Sequence, residues 1–276
     1  MVRELRRLLI QPQRLAAALG GGQRLGLEPA ESHYLRRVLR CRPGEVIALV
    51  DGAGALLPAR LEADGSLRLE PRGLERQPAS PCRIQLALAL PRREVELVWR
   101  MATELGVDGL QPLLAQRCQP QPLPLERWRA IVAEALEQSE RLWLPPLEPP
   151  QPAAAWLTTR AAGLGLLATT RRQGLPPLET LLASAIGAAP PPSWIRLAIG
   201  PEGGWTDAEE EAARQAGWQA VSLGPTILRS STAAIAALAR LVSWRTLSCA
   251  ADRRPGRGSE PDQRLPDDGA TGEHRG

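Results

Sequence analysis

Two stretches of the chain bring together residues that could do chemistry: IGPEGGWTDAEEEAARQAG at 199–217 and SLGPTILRSSTAAIAALARL at 222–241. Each reads as the end of a strand, a Gly-Pro loop and a helix, which puts a backbone-rich loop at the carboxyl end of a parallel strand, where open α/β sheets bind ligands. In the first, Gly200, Gly203 and Gly204 carry no side chains, so main-chain N–H and C=O groups can approach a flat adenine or a ribose. Thr206 followed by Glu209 forms a capping box and Gly217 ends the helix, which leaves Glu202, ahead of the cap, free for other work. In the second, Gly224 and Pro225 supply a turn, Ile227 and Leu228 offer apolar walls, and Arg229 stands immediately before a helix. That helix has Ala233, Ile235, Ala236 and Leu238 on successive faces and is expected to be buried. An arginine at its mouth calls for a phosphate or carboxylate partner. Neither stretch is a G-x-G-x-x-G fingerprint or a P-loop, so dinucleotide and ATP readings have no motif behind them. By spacing alone, an ordinary α/β loop accounts for either stretch equally well.

The elements that must position these loops are legible upstream. RIQLALAL (83–90) reads as a buried strand, REVELVWRMATEL (93–105) as a helix stopped by Gly106, GLQPLLA (109–115) as a short strand and LERWRAIVAEALEQSER (125–141) as a long helix. Strands at 163–170, 195–200 and 219–224 follow. Strands separated by helices imply a parallel sheet covered on both faces.

The N-terminal portion has a different character. EVIALVDG (45–52), ALLPARL (55–61) and SLRLEPRG (66–73), separated by Asp-Gly turns, predict a small antiparallel barrel. Before them, ESHYLRRVLR places Tyr34, Leu35, Val38 and Leu39 at helical spacing, so its arginines share the opposite, exposed face. Residues 1–78 hold 13 Arg against 9 acidic residues, 79–248 hold 16 against 15, and 249–276 hold 5 against 6. The basic excess of the whole chain, net +4, thus arises in the N-terminal portion and peaks at Arg36, Arg37, Arg40 and Arg42. A polyanion would be gripped there.

Other classes find little support. Cys41, Cys82, Cys118 and Cys249 form no C-x-x-C pair, and the histidines are His33 and His274, so neither a structural metal site nor a disulfide framework is expected. His33 reads as a packing or surface residue. No run approaches the roughly 18 apolar residues of a membrane span, and the arginine-rich start lacks an h-region; a soluble, cytoplasmic protein is expected. The polar, Pro/Gly-rich stretch 249–276 is expected to be a disordered tail.

The pairing of IGPEGG, from 199, with VSLGPTILR, from 221, resembles the signature of the ribosomal RNA (uracil-N3) methyltransferases of the SPOUT superfamily. The resemblance extends through HYLRRVLRCRPGEVIALVDG (33–52), ATELGVDGLQPLLAQRC (102–118) and EALEQSER (134–141), and covers residues 1–245. It implies a SPOUT parallel sheet with a deep C-terminal trefoil knot over 79–248, preceded by a PUA-like RNA-binding β-barrel over 1–78. It also implies S-adenosylmethionine held in the knot, a homodimer with the active site at the interface, and 16S ribosomal RNA or the small ribosomal subunit as partner. Carried over by position, the cofactor residues are Leu167 with its strand neighbours, Gly200, Pro201, Glu202, Gly203, Leu223, Gly224, Ile227, Leu228 and Arg229. Arg117 and Arg141 fall near the expected substrate pocket, Arg141 beside Arg36, Arg37, Arg40 and Arg42 as an RNA contact. One departure stands out, because relatives usually read Arg-x-Glu-Thr-Ala where this chain has Arg229-Ser230-Ser231-Thr232-Ala233. It keeps open a non-catalytic ribosome-assembly factor that retains the fold, beside the separate alternative of a SPOUT methyltransferase acting on another RNA or on a ribose 2′-hydroxyl.

Methylation at uridine N3 requires the base to be extruded, an imide proton removed and the developing anion stabilised. Arg229 or Arg117 could supply the positive charge, and Glu202 or solvent could take the proton.

Overall fold

The computed structural model describes residues 5–159, 163–170, 172–186 and 192–252. The N-terminal portion runs β1 (Arg7–Leu9), α1 (Pro12–Gly20), β2 (Arg24–Leu25), α2 (Pro29–His33), a π-helical turn (Tyr34–Val38), β3 (Val46–Val50), β4 (Ala55–Leu61), β5 (Leu67–Leu69), a 3-10 turn (Pro71–Gly73) and β6 (Glu75–Arg76). Its six strands form one sheet in the order β1-β3-β4-β5-β2, with β6 also on β4. Along β4 the period-2 pattern buries Ala55, Leu57, Ala59 and Leu61 and turns the residues between them outward. The hairpins are antiparallel as expected, but β1 lies parallel to β3, so the sheet is mixed.

The arginine segment departs from a regular helix. Its wider π-turn shifts the angular spacing of side chains, so Val38, expected on the inner face with Leu35, is 59% exposed while Leu35 is fully buried. Arg36, Arg37, Arg40 and Arg42 are all exposed, and Arg40 adopts a left-handed backbone at φ 53°.

The second sheet comprises β7 (Arg83–Ala89), β8 (Gly109–Leu114), β9 (Gln151–Pro152), β10 (Leu164–Ala168), β11 (Trp194–Ile199) and β12 (Gln219–Val221). Its order is β12-β10-β11-β7-β8-β9, and every pairing is parallel. The helices are α3 (Val95–Leu105), α4 (Leu125–Gln138), α5 (Ala153–Thr158), α6 (Leu178–Ile186), α7 (Asp207–Gln215) and α8 (Ser230–Asp252). Both faces of the sheet are covered. Ile84, Leu86 and Leu88 of β7 pack into a core with Trp99, Trp128 and Leu238, whereas the intervening Ala87 and Ala89 join Trp156, Trp205 and Trp218 on the other side.

α8 is buried along one side, by Ala234, Ala237, Leu238, Leu241 and Trp244. The other side carries exposed Thr232, Ala239 and Ser243, so the expectation of burial on all faces holds for half of the helix. The helix also runs four residues into the stretch expected to be a disordered tail; residues 253–276 lie outside the described residues.

The two sheets are joined through α4 and the strap that follows it. The Leu9 N–H donates to Glu137 Oε1 at 2.6 Å, and Arg7 bonds both the Glu140 carboxylate at 2.8 Å and its carbonyl at 2.6 Å. The Gly54 N–H reaches the Leu142 carbonyl at 2.8 Å, and the Leu144 N–H reaches that of Gly52 at 2.9 Å.

Candidate active site

A cavity of about 440 Å³ opens where β10, β11 and β12 end. Strand ends at a change of chain direction are where parallel sheets leave room for ligands. Its walls are the segment after β10 (Ala168, Thr169, Thr170, Arg172), the segment after β11 (Gly200 to Trp205) and the segment after β12 (Ser222 to Leu228).

The second and third walls are bonded to each other. The Ser230 hydroxyl, at the first turn of α8, donates to the Gly200 carbonyl at 2.7 Å. Arg240, further along α8, donates to the Leu223 carbonyl at 3.0 Å and pairs with Glu179. Gly200 sits so close to Trp205 that a Cβ there would lie 3.1 Å from the indole nitrogen. That nitrogen donates to the Ala168 carbonyl at 3.1 Å, which ties the first wall to the second. Gly224, at φ 139°, holds a backbone that side-chain-bearing residues rarely adopt.

Local sequence explains the geometry. The capping box forms in both directions: Thr206 Oγ1 accepts from the Glu209 N–H, and Glu209 Oε2 accepts from the Thr206 N–H at 2.9 Å. The other oxygen of buried Glu209 accepts the Gln116 N–H at 2.9 Å, which brings the turn after β8 alongside. Arg117, next in that turn, donates to the Gly203 and Trp205 carbonyls, each at 3.0 Å.

Charge at the pocket is mixed. Arg172 pairs with Asp207 and Glu210, and these bonds hold its guanidinium more firmly protonated than usual. Thr169 Oγ1 donates to Glu210 at 2.5 Å. Glu202 is exposed at the mouth, with Oε1 accepting the Arg92 N–H at 3.2 Å.

Most residues expected to hold a cofactor converge here: Gly200, Pro201, Glu202, Gly203, Leu223, Gly224, Ile227 and Leu228 line the cavity together with Arg117. Leu167 does not. As alternate residues of a strand face opposite ways, it is buried with Trp156 and Trp218 while Ala168 reaches the pocket. Arg229 stands exposed between two lining residues, Leu228 and Ser230, and has no ion-pair partner among the described residues. Arg141 is turned inward. Its guanidinium donates to the Thr103 and Val107 carbonyls at 2.8 Å each, capping the end of α3, and burial lowers its pKa to about 10. In place of the expected RNA contact the geometry points to a structural role, because the guanidinium is engaged by two carbonyls at the end of α3, which offset part of the cost of its burial.

Sequence reasoning passed over Thr169, Arg172, Asp207 and Glu210. The acidic first turn of TDAEE was a usable signal, since α7 starts beside the pocket. It also missed the origin of a carboxylate near Ser231: Glu94, at the start of α3, accepts the Ser231 hydroxyl at 2.5 Å.

These features define the class. Residues 78–242 match the family model described as RNA methyltransferase domain, and residues 27–70 match that of the RNA methyltransferase PUA domain. The chain is therefore an RNA methyltransferase with an RNA-binding module ahead of the catalytic sheet, built on the SPOUT fold. It belongs, more narrowly, to the ribosomal RNA small subunit methyltransferase E family. It is 39% identical to the member from Synechocystis sp., over 85% of this chain and 76% of that one. It is 35% identical to the member from Mycobacterium tuberculosis, over 75% and 82% respectively. The solved structure of the Neisseria gonorrhoeae member, bound to S-adenosylmethionine, superposes with a TM-score of 0.72 at 31% identity, over 87% of this chain and 98% of that one.

Proposed function

We propose that this chain transfers a methyl group from S-adenosylmethionine to N3 of a uridine in 16S ribosomal RNA of the small subunit. The observation that carries the reading is the bond between Ser230 and Gly200, which makes the two Gly-Pro loops walls of one cavity. The cavity volume lies within the ~300–1,000 Å³ of small-molecule sites. Apolar Ile199, Leu223 and Leu228 suit a flat base, main-chain groups at Gly200 to Gly204 suit its edge and the ribose, and Glu202, which has no ion pair among the described residues, suits a cationic ligand. When bound, the cofactor supplies an electrophilic sulfonium methyl.

The chain's own groups then have three tasks. Arg117, fixed through the Gly203 and Trp205 carbonyls, shapes the loop that presents Glu202. Glu202, tethered through Oε1, has Oε2 available to receive the N3 proton. Arg229, exposed and without an ion-pair partner among the described residues, brings positive charge to the uridine oxygens as negative charge develops on the base. Arg36, Arg37, Arg40 and Arg42, exposed on the N-terminal portion, bind RNA phosphates.

The assembly is a homodimer in the cytoplasm. The half-exposed side of α8, with Ile235, Ala236 and Ala239, and Ile227, which is 64% exposed, suit a second copy. The knot is supported by the path of α8, which follows edge strand β12 yet packs on β7 and β11. The boundary between the RNA-binding and catalytic units falls near residue 78.

The test is transfer of labelled methyl from S-adenosylmethionine to small subunits and to free 16S ribosomal RNA, followed by nucleoside analysis. Label in 3-methyluridine is the expected result. Label in another nucleoside would redirect the substrate, and absence of both transfer and cofactor binding would leave a ribosome-assembly role.

A further inference from the structure

Between β7 and α3 the chain passes through Pro91, Arg92, Arg93 and Glu94, a stretch to which neither motif nor family resemblance gives a role. It is anchored at three points. Gln121 Nε2 donates to the Pro91 carbonyl at 3.0 Å, the Arg92 N–H donates to Glu202 at 3.2 Å, and Glu94 accepts the Ser231 hydroxyl at 2.5 Å. Glu94 is also held at φ 68°, a left-handed backbone that a residue with a side chain adopts only when its surroundings impose it. Two of the anchors belong to the walls of the pocket: Glu202 lines it, and Ser231 follows Ser230, which lines it too.

Between the anchors stand two consecutive arginines. Arg92 and Arg93 are both exposed, and among the described residues neither guanidinium has an ion-pair or hydrogen-bond partner. They differ in this from surface arginines such as Arg100, Arg127, Arg129, Arg172 and Arg214, which are paired with carboxylates, and share it with Arg229, which precedes α8 beside the pocket. The two nearest acids in the site accept other donors: Glu94 that of Ser231, and Glu202 that of the Arg92 main chain. The pair thus presents two guanidinium groups without ion pairs on a backbone that is bonded, through the Arg92 N–H, to Glu202 of the cavity wall.

We propose that Arg92 and Arg93 are a phosphate-binding pair for the RNA strand on either side of the target nucleotide, distinct from the arginines in and after the π-helical turn of the N-terminal portion. The proposal rests on the RNA methyltransferase reading above. A base entering the cavity must leave its stack, and the strand must be held while it does so. Guanidinium forks bind phosphate oxygens two at a time, and a backbone already fixed loses little freedom on binding. The arginines of the N-terminal portion bring the RNA to the protein; this pair holds the sugar–phosphate chain where the base turns in.

The test compares the full chain with the R92A/R93A variant, measuring affinity for 16S ribosomal RNA across a salt series and affinity for S-adenosylmethionine by calorimetry. The slope of log K against log salt should fall by about two, one for each phosphate no longer neutralised, and affinity at ~0.1 M salt should weaken about tenfold or more. Cofactor affinity and thermal midpoint should match the parent, because both side chains lie at the surface. The same weakening should persist with a short oligonucleotide around the target uridine, on which Arg36→Glu with Arg40→Glu has little effect. A parental slope and affinity in R92A/R93A would overturn the proposal, as would a loss confined to long RNA. Failure of the parent protein itself to bind the RNA would instead reject the reading on which the proposal rests.

Discussion

The Ser230 hydroxyl and the Gly200 carbonyl, thirty positions apart in the chain, meet at 2.7 Å and close the cavity between two Gly-Pro loops. Ser230 is 5% exposed, so the bond is shielded from water and its loss is not made good by solvent. Ser230→Ala should therefore weaken S-adenosylmethionine binding about fivefold, the equivalent of ~1 kcal/mol. Calorimetric titration reads this directly, and an unchanged Kd would mean that the two loops hold their places without it.

Gly200→Ala should do more. Its added carbon would lie 3.1–3.3 Å from three atoms of the Trp205 indole, which is 5% exposed and has little room to yield. Displacing the ring also breaks its bond to the Ala168 carbonyl. Cofactor affinity should drop about tenfold or more, with a change in tryptophan emission as the ring moves.

Arg141→Met should lower stability and leave RNA recognition alone. The Thr103 and Val107 carbonyls would lose their donor at a part-buried helix end, at a cost of about 2–4 kcal/mol. Urea unfolding measures the loss. A normal midpoint combined with a reduced salt slope for RNA would restore Arg141 to the RNA-binding set.

Glu137 should make stability fall as pH rises from acid toward neutral. Burial is the largest influence on its carboxyl and pushes its pKa above the ordinary 4.5, against the bonds from Leu9 and Tyr34, while Glu134 adds to the rise. The folded state thus favours the protonated form, a contribution fully present below about 4.5 and lost as pH passes the raised value. Glu137→Gln, which stays neutral and keeps an acceptor for the Leu9 N–H, should gain on the parent through that window. Equal pH dependence of unfolding in the two proteins would exclude the effect.

Arg36→Glu with Arg40→Glu should weaken binding to 16S ribosomal RNA and flatten its salt dependence while sparing the cofactor. Filter binding at several salt concentrations checks this. An unaltered slope would remove the N-terminal sheet from RNA recognition.

Much of the site could be read directly from the residues. Gly106 at φ 99° and Gly217 at φ 88° end α3 and the turn after α7 where expected, and the Thr206–Glu209 box forms as its spacing requires. These are local signals, each complete within one turn of chain. What escaped was non-local. The partner of Glu209 at Gln116 lies 93 positions away, and that of Ser231 at Glu94 lies 137 away, distances at which periodicity carries no information. Of the strand end expected at the cofactor, the Ala168 side reaches the cavity and the Leu167 side chain faces away, a difference of one residue that alternation along a strand makes decisive. Val38 was misplaced because an ordinary 3.6-residue period was applied to a π-helical turn.

The bonds from Arg7, Leu9, Gly52 and Gly54 to α4 and the strap after it have a further consequence. An RNA grip bolted to the catalytic sheet in this way would act as a caliper, selecting a nucleotide by how far it lies from a second landmark on the folded transcript. One base pair inserted between landmark and target should spoil recognition even with the local sequence intact, and a matching deletion elsewhere on the same stem should bring it back.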